Sequence, residues 1–181
     1  MKVVLLFSTG LDSFLSYHLL KRLGFQVILL VIKTPFVNLN EKIFEKISKE
    51  DKIIIHEARE NYLEILKNPK HGFGSQANPC IDCKIYMLKI AKKVMEEEKA
   101  DFIVSGEVLN ERHSQRIENL EIIEREAGVE GFVLRILSGK ILPKTIPEEK
   151  GWIKREDMLD IKGRRREKQL KLVRELGLDY Y

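Results

Sequence analysis

Two short stretches of the sequence combine residue types that do chemistry together. Near the amino terminus, Ser8-Thr9-Gly10-Leu11-Asp12-Ser13 joins hydroxyl groups and a glycine to one carboxylate. In the middle of the chain, two cysteines are spaced Cys80-x-x-Cys83. The first stretch predicts a phosphate site, because hydroxyls and loop amides donate hydrogen bonds to phosphate oxygens. The second stretch predicts thiolate chemistry or metal ligation.

The phosphate site requires a strand before the loop and a helix after it. Residues 2–7 form an apolar, β-branched run that predicts a buried strand. Apolar residues then recur at helical spacing over residues 14–20, and Gly24 ends the helix. In this order, loop and first-turn N–H groups converge on an anion that the helix dipole also favours. Asp12 beside such an anion predicts that Mg²⁺ joins the site.

The cysteines follow Asn78 and Pro79, which predict the start of a long helix over residues 79–99. Asn is a good N-cap, and Pro is favoured at the first helical position. Cys80 and Cys83 then face the same side of the helix start. Because the helix dipole favours the thiolate, we expect at least one lowered thiol pKa. Such a pair can hold and resolve a persulfide or a mixed disulfide.

Three other interpretations of the cysteine pair remain open. Zinc needs four ligands, and the nearest candidates to join the cysteines are the distant His71 and His113. An iron–sulfur cluster would need an unusual ligand or a second subunit. The two cysteines could also simply pack at a helix start.

The rest of the chain alternates predicted strands with predicted helices. Strands are expected at residues 25–32, 52–56, 101–105 and 132–137, and helices at residues 41–47, 59–66 and 114–126. This order predicts an α/β fold, a doubly wound parallel five-stranded sheet with helices on both faces. Ligands lie at the carboxyl ends of such strands. That edge would gather the first loop, Lys33, the cysteine loop, Gly106-Glu107 and residues 138–140.

Length and composition describe one domain with a small appendage. The chain has 181 residues, of which 44% are hydrophobic, and no run reaches transmembrane length. No signal-peptide cleavage region precedes the first strand. Since a Cys-x-x-Cys pair in an unexported protein argues against a disulfide framework, a cytoplasmic location is expected.

The chain changes character after residue 141. Residues 142–181 are predicted to be a basic helical extension of a domain formed by residues 1–141. Between Lys150 and Arg174 there are ten Lys and Arg residues against four Asp and Glu residues. Arg164, Arg165 and Arg166 open a predicted helix over residues 164–176. This helix is either an electrostatic footprint for RNA phosphates or an ordinary solvated face.

Several motifs resemble those of one enzyme superfamily. Residues 8–13 resemble the PP-loop of the N-type ATP pyrophosphatases, Ser-Gly-Gly-x-Asp-Ser, with Thr9 in place of the first glycine. Residues 105–107, 114–115 and 134–137 resemble the Thr-Gly-Glu, Ser-Gln and Leu-Arg-Pro-Leu motifs of the 4-thiouridine synthetases. The Asn78-Pro79-Cys80-x-x-Cys83 stretch resembles the cysteine motif of a 2-thiouridylase-like group.

The resemblance implies an adenine nucleotide alpha hydrolase-like fold and assigns roles to particular residues. Ile32, Gly106 and Arg135 would line the nucleotide site, and Cys80 and Cys83 would handle sulfur. Asp12 would serve catalysis and, through Mg²⁺, the phosphates. The set expected to bind the phosphates of ATP is Ser8, Thr9, Gly10, Leu11, Asp12 and Ser13.

The function implied is that of an AMP-forming tRNA sulfurtransferase, which adenylates a base carbonyl and then transfers sulfur. Its partners would be ATP, tRNA held by the basic helix, and a sulfur donor protein or low-molecular sulfide, with no membrane; a homodimer is compatible with this interpretation. Glu107 and His113 are further candidates for acid–base chemistry. Two alternatives are an adenylating enzyme that amidates or ligates a small molecule and a nucleotide-binding module without catalysis.

Overall fold

Five parallel strands form the centre of the molecule in the computed structural model, which describes residues 1–34, 38–74 and 78–178. The strands are β1 (Lys2–Leu6), β2 (Gln26–Lys33), β3 (Ile53–Glu57), β4 (Phe102–Ser105) and β5 (Val133–Leu134). Their order in the sheet is β3-β2-β1-β4-β5, and every pairing is parallel. The predicted five-stranded parallel sheet is therefore confirmed.

Helices cover both faces of this sheet. They are α1 (Leu11–Arg22), α2 (Glu41–Ile47), α3 (Glu60–Lys67), α4 (Cys80–Glu97), α5 (Ile117–Ala127), α6 (Ile146–Glu149) and α7 (Glu167–Glu175). Successive residues of β1 point to opposite faces, as strand geometry requires. Val3 and Leu5 lie in the core cluster that contains α1, whereas Val4 lies in the cluster that contains α4 and α5. Because both faces are covered, β2 is apolar at successive positions.

Two predicted elements are shorter or less regular than the sequence suggests. The sequence predicts the last strand over residues 132–137, but β5 ends at Leu134, and a turn follows in which the Ser138 N–H donates to the Arg135 carbonyl at 2.9 Å. The helix expected over residues 114–126 begins as a 3₁₀ turn over His113–Gln115. Arg116 is extended, and α5 then starts at Ile117.

The carboxyl-terminal residues pack into the same core as α1. Ile153, Met158, Ile161 and Leu178 belong to that core cluster, and Trp152 stacks on Phe102 with ring centroids 6.2 Å apart. The basic helix is not confirmed as predicted, because α7 starts at Glu167 and the three arginines at 164–166 precede it. Within the described residues, no helix is long and apolar enough to cross a lipid bilayer.

Candidate active site

The predicted phosphate loop lies at the carboxyl end of β1 and leads into α1. The Ser13 hydroxyl donates to the Gly10 carbonyl at 2.9 Å and accepts from the Ser8 N–H at 3.2 Å. The Ser8 and Ser13 hydroxyl oxygens are 3.3 Å apart. Gly10 is the N-cap and has no side chain to bond the first-turn N–H groups, including that of Leu11. An N-terminus of this kind can receive an anion.

Thr9 occupies the position at which the resembling loop has a glycine. Its φ of 58° lies in the left-handed region, which side chains other than glycine rarely adopt. The residue is buried, and its hydroxyl oxygen accepts a hydrogen bond from the Asn40 N–H at 2.7 Å. Asn40 is in turn the N-cap of α2. Thr9 therefore ties the phosphate loop to the start of the next helix.

Gly106 brings the end of β4 against the start of α1. A Cβ atom at Gly106 would lie 2.7 Å from the Ser13 nitrogen and 2.9 Å from the Asp12 carbonyl carbon. Only a glycine allows this approach without a shift of the backbone. Gly106, which the resemblance implies lines the nucleotide site, thus lies beside the phosphate loop.

Asp12 projects from the first turn of α1 towards the carboxyl-terminal residues. Its carboxylate Oδ1 accepts from Gln169 Nε2 at 3.3 Å. Burial, together with the negative charge of Glu111, raises the pKa of Asp12 above its usual value. The Gln169 hydrogen bond and the charges of Arg166 and Arg112 lower that pKa in part. A bound cation would stabilise this carboxylate further.

The other two residues predicted to line the nucleotide site are both buried. Ile32 is 6% exposed near the end of β2 and packs in the core cluster on the α4 face. The Arg135 side chain is 4% exposed and pairs with Glu107 at 3.1 Å and Glu124 at 2.5 Å. Its Nη2 atom has no hydrogen-bond partner among the described residues. The structure thus joins Arg135 to the edge through Glu107, which follows Gly106.

Lys84 is a residue of this edge that the sequence reasoning did not select. It lies one position after Cys83 on α4 and forms an ion pair with Glu107. Burial and the charge of Arg135 lower the pKa of Lys84 to about 7, whereas the ion pair favours the charged form. The sequence does hold a signal for Lys84, because a lysine within one helical turn of two cysteines can act on their thiols.

The helix that carries the cysteines starts one residue later than predicted. Pro79 occupies the N-cap position, Cys80 is the first helical residue, and the predicted capping by the Asn78 side chain is wrong. Instead, the Asn78 carbonyl accepts from the Cys80 N–H at 2.9 Å. Both cysteines are free thiols.

Cys83 does not have the lowered pKa that its place near a helix N-terminus suggested. Burial of the thiol raises its pKa, and the neighbouring charges of Cys80 and Asp82 act in the same direction. A contact of 3.4 Å with the Tyr62 hydroxyl and the charge of Lys84 only partly oppose this rise. Desolvation therefore outweighs the helix dipole for Cys83.

Cys80 lines a cavity of about 550 Å³ at this edge of the molecule. The walls include Glu111, Arg112, Ser114, Arg164 and Arg166 as well as residues of the loop that precedes α4. Glu111, Arg112 and Arg166 are also the charged groups that act on Asp12. The cavity therefore connects the cysteine loop to the surroundings of the phosphate loop.

The loop before α4 is held by carboxylates on two helices. Asp82 accepts hydrogen bonds from the N–H groups of Lys70 and His71 at 3.1 and 3.0 Å. His71 Nε2 and the Lys70 ammonium also contact Glu126 on α5. His71 therefore has a carboxylate partner, and the other candidate zinc ligand, His113, contacts Asn119. Among residues 1–34, 38–74 and 78–178, no group of three or more His, Cys, Asp or Glu side chains could hold a metal ion.

Several known proteins are similar to this chain in sequence. The model of the thiamine biosynthesis protein (ThiI) family matches residues 1–141. A probable tRNA sulfurtransferase of Methanocaldococcus jannaschii is 32% identical over 127 residues, which are 67% of this chain and 33% of that protein. Another, from Thermococcus kodakarensis, is 30% identical over 136 residues, 68% of this chain and 34% of the relative. This chain thus spans about a third of the length of the curated relatives it matches.

Among solved structures, a 4-thiouridine synthetase determined in complex with RNA and with bound ATP shares the fold. Its TM-score is 0.55 at 24% identity, and the match covers 98% of this chain and 51% of that chain.

Proposed function

This chain belongs to the thiamine biosynthesis protein (ThiI) family, and we propose that it uses ATP to activate a carbonyl of a tRNA base and replaces the oxygen with sulfur. The observation that carries the proposal is the cavity that Cys80 shares with Arg112, Arg164 and Arg166. It puts a thiol and a set of cations within one space, next to the groups that surround Asp12. The curated relatives are probable tRNA sulfurtransferases, which supports tRNA as the substrate.

The proposed first step is an adenylation. The base carbonyl oxygen attacks the α-phosphorus of ATP, and pyrophosphate leaves. The amides at the start of α1 and the hydroxyls of Ser8 and Ser13 would bind the phosphates, because the helix start has no side-chain cap and the two hydroxyl oxygens lie 3.3 Å apart. Asp12 would be a Mg²⁺ ligand, because hard cations take carboxylate oxygens, and the cation would offset the cost that burial places on its charge. Bound Mg²⁺ supplies charge stabilisation for the leaving pyrophosphate.

The proposed second step is displacement of AMP by sulfur. The Cys80 thiolate, which lines the cavity, attacks the outer sulfur of a persulfide on a donor protein, so that a Cys80 persulfide forms and the donor leaves as a thiolate. The terminal persulfide sulfur attacks the activated carbon, and AMP leaves. The Cys83 thiolate then attacks the Cys80 sulfur, so that a Cys80–Cys83 disulfide forms and the thiolated base departs. An external dithiol reductant returns the disulfide to two thiols.

The arginines at the cavity would hold the RNA backbone through its phosphates. Arg164, Arg165 and Arg166 are all exposed, and Arg164 and Arg166 also line the cavity. We place residues 1–141 as the ATP-binding domain and residues 142–181 as an extension that contributes RNA contacts. A cytoplasmic location agrees with this function.

Analysis of tRNA nucleosides tests the proposal most directly. Deletion of the gene in its host should remove one thiolated nucleoside from total tRNA, as measured by mass spectrometry. Wild-type protein should restore the nucleoside, whereas Asp12→Ala and Cys80→Ser should not. An unchanged tRNA profile would contradict the proposal and favour adenylation of a small molecule or nucleotide binding without catalysis. Stoichiometric zinc or iron in the purified protein would contradict the redox role of the cysteines.

A further inference from the structure

The carboxyl-terminal part of the chain reaches the phosphate loop through one buried side chain. Gln169 is fully buried, and its Nε2 donates to Asp12 Oδ1 at 3.3 Å although the two residues are 157 positions apart. The family model ends at residue 141. A hydrogen-bond partner of the Asp12 carboxylate therefore comes from outside the part of the chain that the family model matches.

The segment of residues 162–169 is held in place at several points before it reaches Asp12. Lys162 pairs with Leu109 in a parallel bridge, and the Gly163 N–H donates to the Leu109 carbonyl at 2.8 Å. Arg164 Nε donates to the Glu111 carbonyl at 3.1 Å, and Arg166 contacts the Glu111 carboxylate at 3.4 Å. The loop that follows β4 thus fixes segment 162–169 over the start of α1.

The chemistry of Gln169 argues against a role in packing alone. Its Oε1 atom is buried and has no hydrogen-bond partner among the described residues. A buried polar atom without a partner costs free energy, and an apolar side chain of the same shape would avoid that cost. The Nε2 bond to a carboxylate is the interaction that compensates, because hydrogen bonds to charged groups are stronger than neutral ones.

We propose that Gln169 is a positioning residue for Asp12 and that segment 162–169 forms one wall of the ATP site. Gln169 fixes one oxygen of the Asp12 carboxylate and so orients the other, while Arg166 supplies positive charge on the same side. ATP binding and the docking of this segment then stabilise each other, as two linked equilibria must. This inference rests on the proposed ATP-dependent function.

Replacement of Gln169 by methionine tests the positioning role, because methionine keeps the length of the side chain and removes both polar atoms. Q169M should bind Mg-ATP about 10- to 100-fold more weakly by calorimetry, the loss expected for one hydrogen bond to a charged group. Its melting temperature without ATP should change little, since the variant removes both the unpartnered Oε1 and the Nε2 bond that compensates for it. The matched control is Val129→Ala, which removes core packing on the other face of the sheet and should lower the melting temperature but leave the ATP affinity unchanged.

A second readout separates this inference from the proposed function. The pKa of Asp12 in the ATP-free protein, followed by NMR of the carboxyl carbon, should rise in Q169M because a hydrogen bond that favours the carboxylate is removed. An unchanged Asp12 pKa, or wild-type ATP affinity in Q169M, would overturn the positioning role. If the wild-type protein fails to bind ATP, the proposed function is wrong. The Asp12 titration would still show whether Gln169 stabilises the Asp12 carboxylate.

Discussion

Asp12, Lys84 and Cys83 each carry a group that burial drives towards its neutral form. The pKa of Asp12 and that of Cys83 are raised, and the pKa of Lys84 is lowered to about 7. In each case the largest cause is the loss of water around the charged form. Glu107 already relieves part of this cost for Lys84, and a bound cation would relieve it for the Asp12 carboxylate.

The raised pKa of Asp12 predicts a gain of stability in Asp12→Asn without ligand. In the unfolded chain the carboxyl titrates near ~3.9, and in the folded protein it titrates higher. Ionisation of Asp12 therefore lowers the free energy of unfolding. The loss develops as the pH rises from the unfolded-state pKa through the folded-state pKa, and it is complete at pH 7. Asn keeps an acceptor for Gln169 and has no charge.

Thermal unfolding measured at two pH values checks this prediction. Asp12→Asn should raise the melting temperature at pH 7, because the uncharged amide avoids the cost of burying the ionised carboxylate. The gain should vanish near pH 3, where both states of the wild type are protonated. Mg-ATP binding should be lost at the same time. A lower melting temperature at both pH values would contradict the argument.

The Tyr62 hydroxyl predicts how the reactivity of Cys83 depends on pH. In a Cys80→Ser background, alkylation of Cys83 by iodoacetamide should titrate above the ~8.5 of a free cysteine, because burial raises its pKa. Tyr62→Phe should move the titration higher still, since the hydroxyl that stabilises the thiolate is removed. Mass spectrometry of the alkylated peptide against pH gives the midpoint.

Tyr86→Phe is the matched control for this experiment. The Tyr86 ring lies 5.6 Å from the Tyr62 ring, but its hydroxyl contacts His56 at 2.9 Å rather than the thiol. It should leave the Cys83 midpoint unchanged. Equal midpoints in the parent and in Tyr62→Phe would show that the hydroxyl has no influence on the thiolate.

At the residue scale, the sequence indicates the phosphate loop because its signals are local. A strand, small residues and a helix start follow one another within residues 2–13, and the structure has them in that order. The importance of Lys84 and Gln169 could not be predicted in this way. Their burial and partners depend on Glu107, Arg135 and Asp12, which are distant in sequence.

At the scale of elements, the site depends on how closely the end of β4 approaches the start of α1. Gly106 is the point of contact, and the atoms that a Cβ would meet are backbone atoms of α1. Gly106→Ala should therefore displace one element from the other. We expect a lower melting temperature, by roughly the 1–3 kcal/mol typical of overpacking, and weaker ATP binding.

Gly10→Ala is the comparison variant for Gly106→Ala. Gly10 has a φ of −73°, and an added Cβ would meet only the Ser8 hydroxyl, at 3.3 Å. Thermal unfolding should remain close to wild type, whereas ATP affinity should fall because the added methyl group stands where the phosphates approach the helix start. Equal melting temperatures for Gly106→Ala and the wild type would show that β4 and α1 tolerate separation.

Elements with a strong apolar period are predictable from the sequence, and those fixed by long-range contacts are not. The helix predicted over residues 41–47 has the observed bounds Glu41–Ile47. The last strand, in contrast, ends early because Ser138 bonds the Leu109 N–H and the Ile161 carbonyl at 3.0 and 2.7 Å. Those partners lie 29 and 23 residues away, so no local sequence pattern predicts the turn.

At the scale of the whole molecule, basic residues lie at both edges of the sheet, but their surroundings differ. At the carboxyl edge, Arg112, Arg164 and Arg166 surround a cavity. At the amino edge, Lys21 and Lys52 form ion pairs with Asp51 and Glu98. Glu111 also lines that cavity and pairs with Arg166 at 3.4 Å, so three arginines face one carboxylate there. The cavity therefore keeps net positive charge that can attract a phosphate-bearing substrate, whereas each of the two lysines at the amino edge is matched by a carboxylate.

This difference predicts which charges contribute to RNA binding. Replacement of Arg164, Arg165 and Arg166 by Ala should flatten the salt dependence of tRNA binding, by up to ~0.9 in log–log slope for each duplex phosphate that the variant no longer neutralises. Fluorescence anisotropy with an unmodified tRNA transcript over a range of salt concentrations gives the slope. The control removes the same formal charge at the opposite edge, through Lys21→Ala, Lys52→Ala and Lys49→Ala, Lys49 being an exposed residue between α2 and β3. If only net charge matters, both variants will change the slope equally, and the three arginines are then ordinary solvent-exposed residues. A change confined to the arginine variant would support RNA binding at the cavity that contains Cys80.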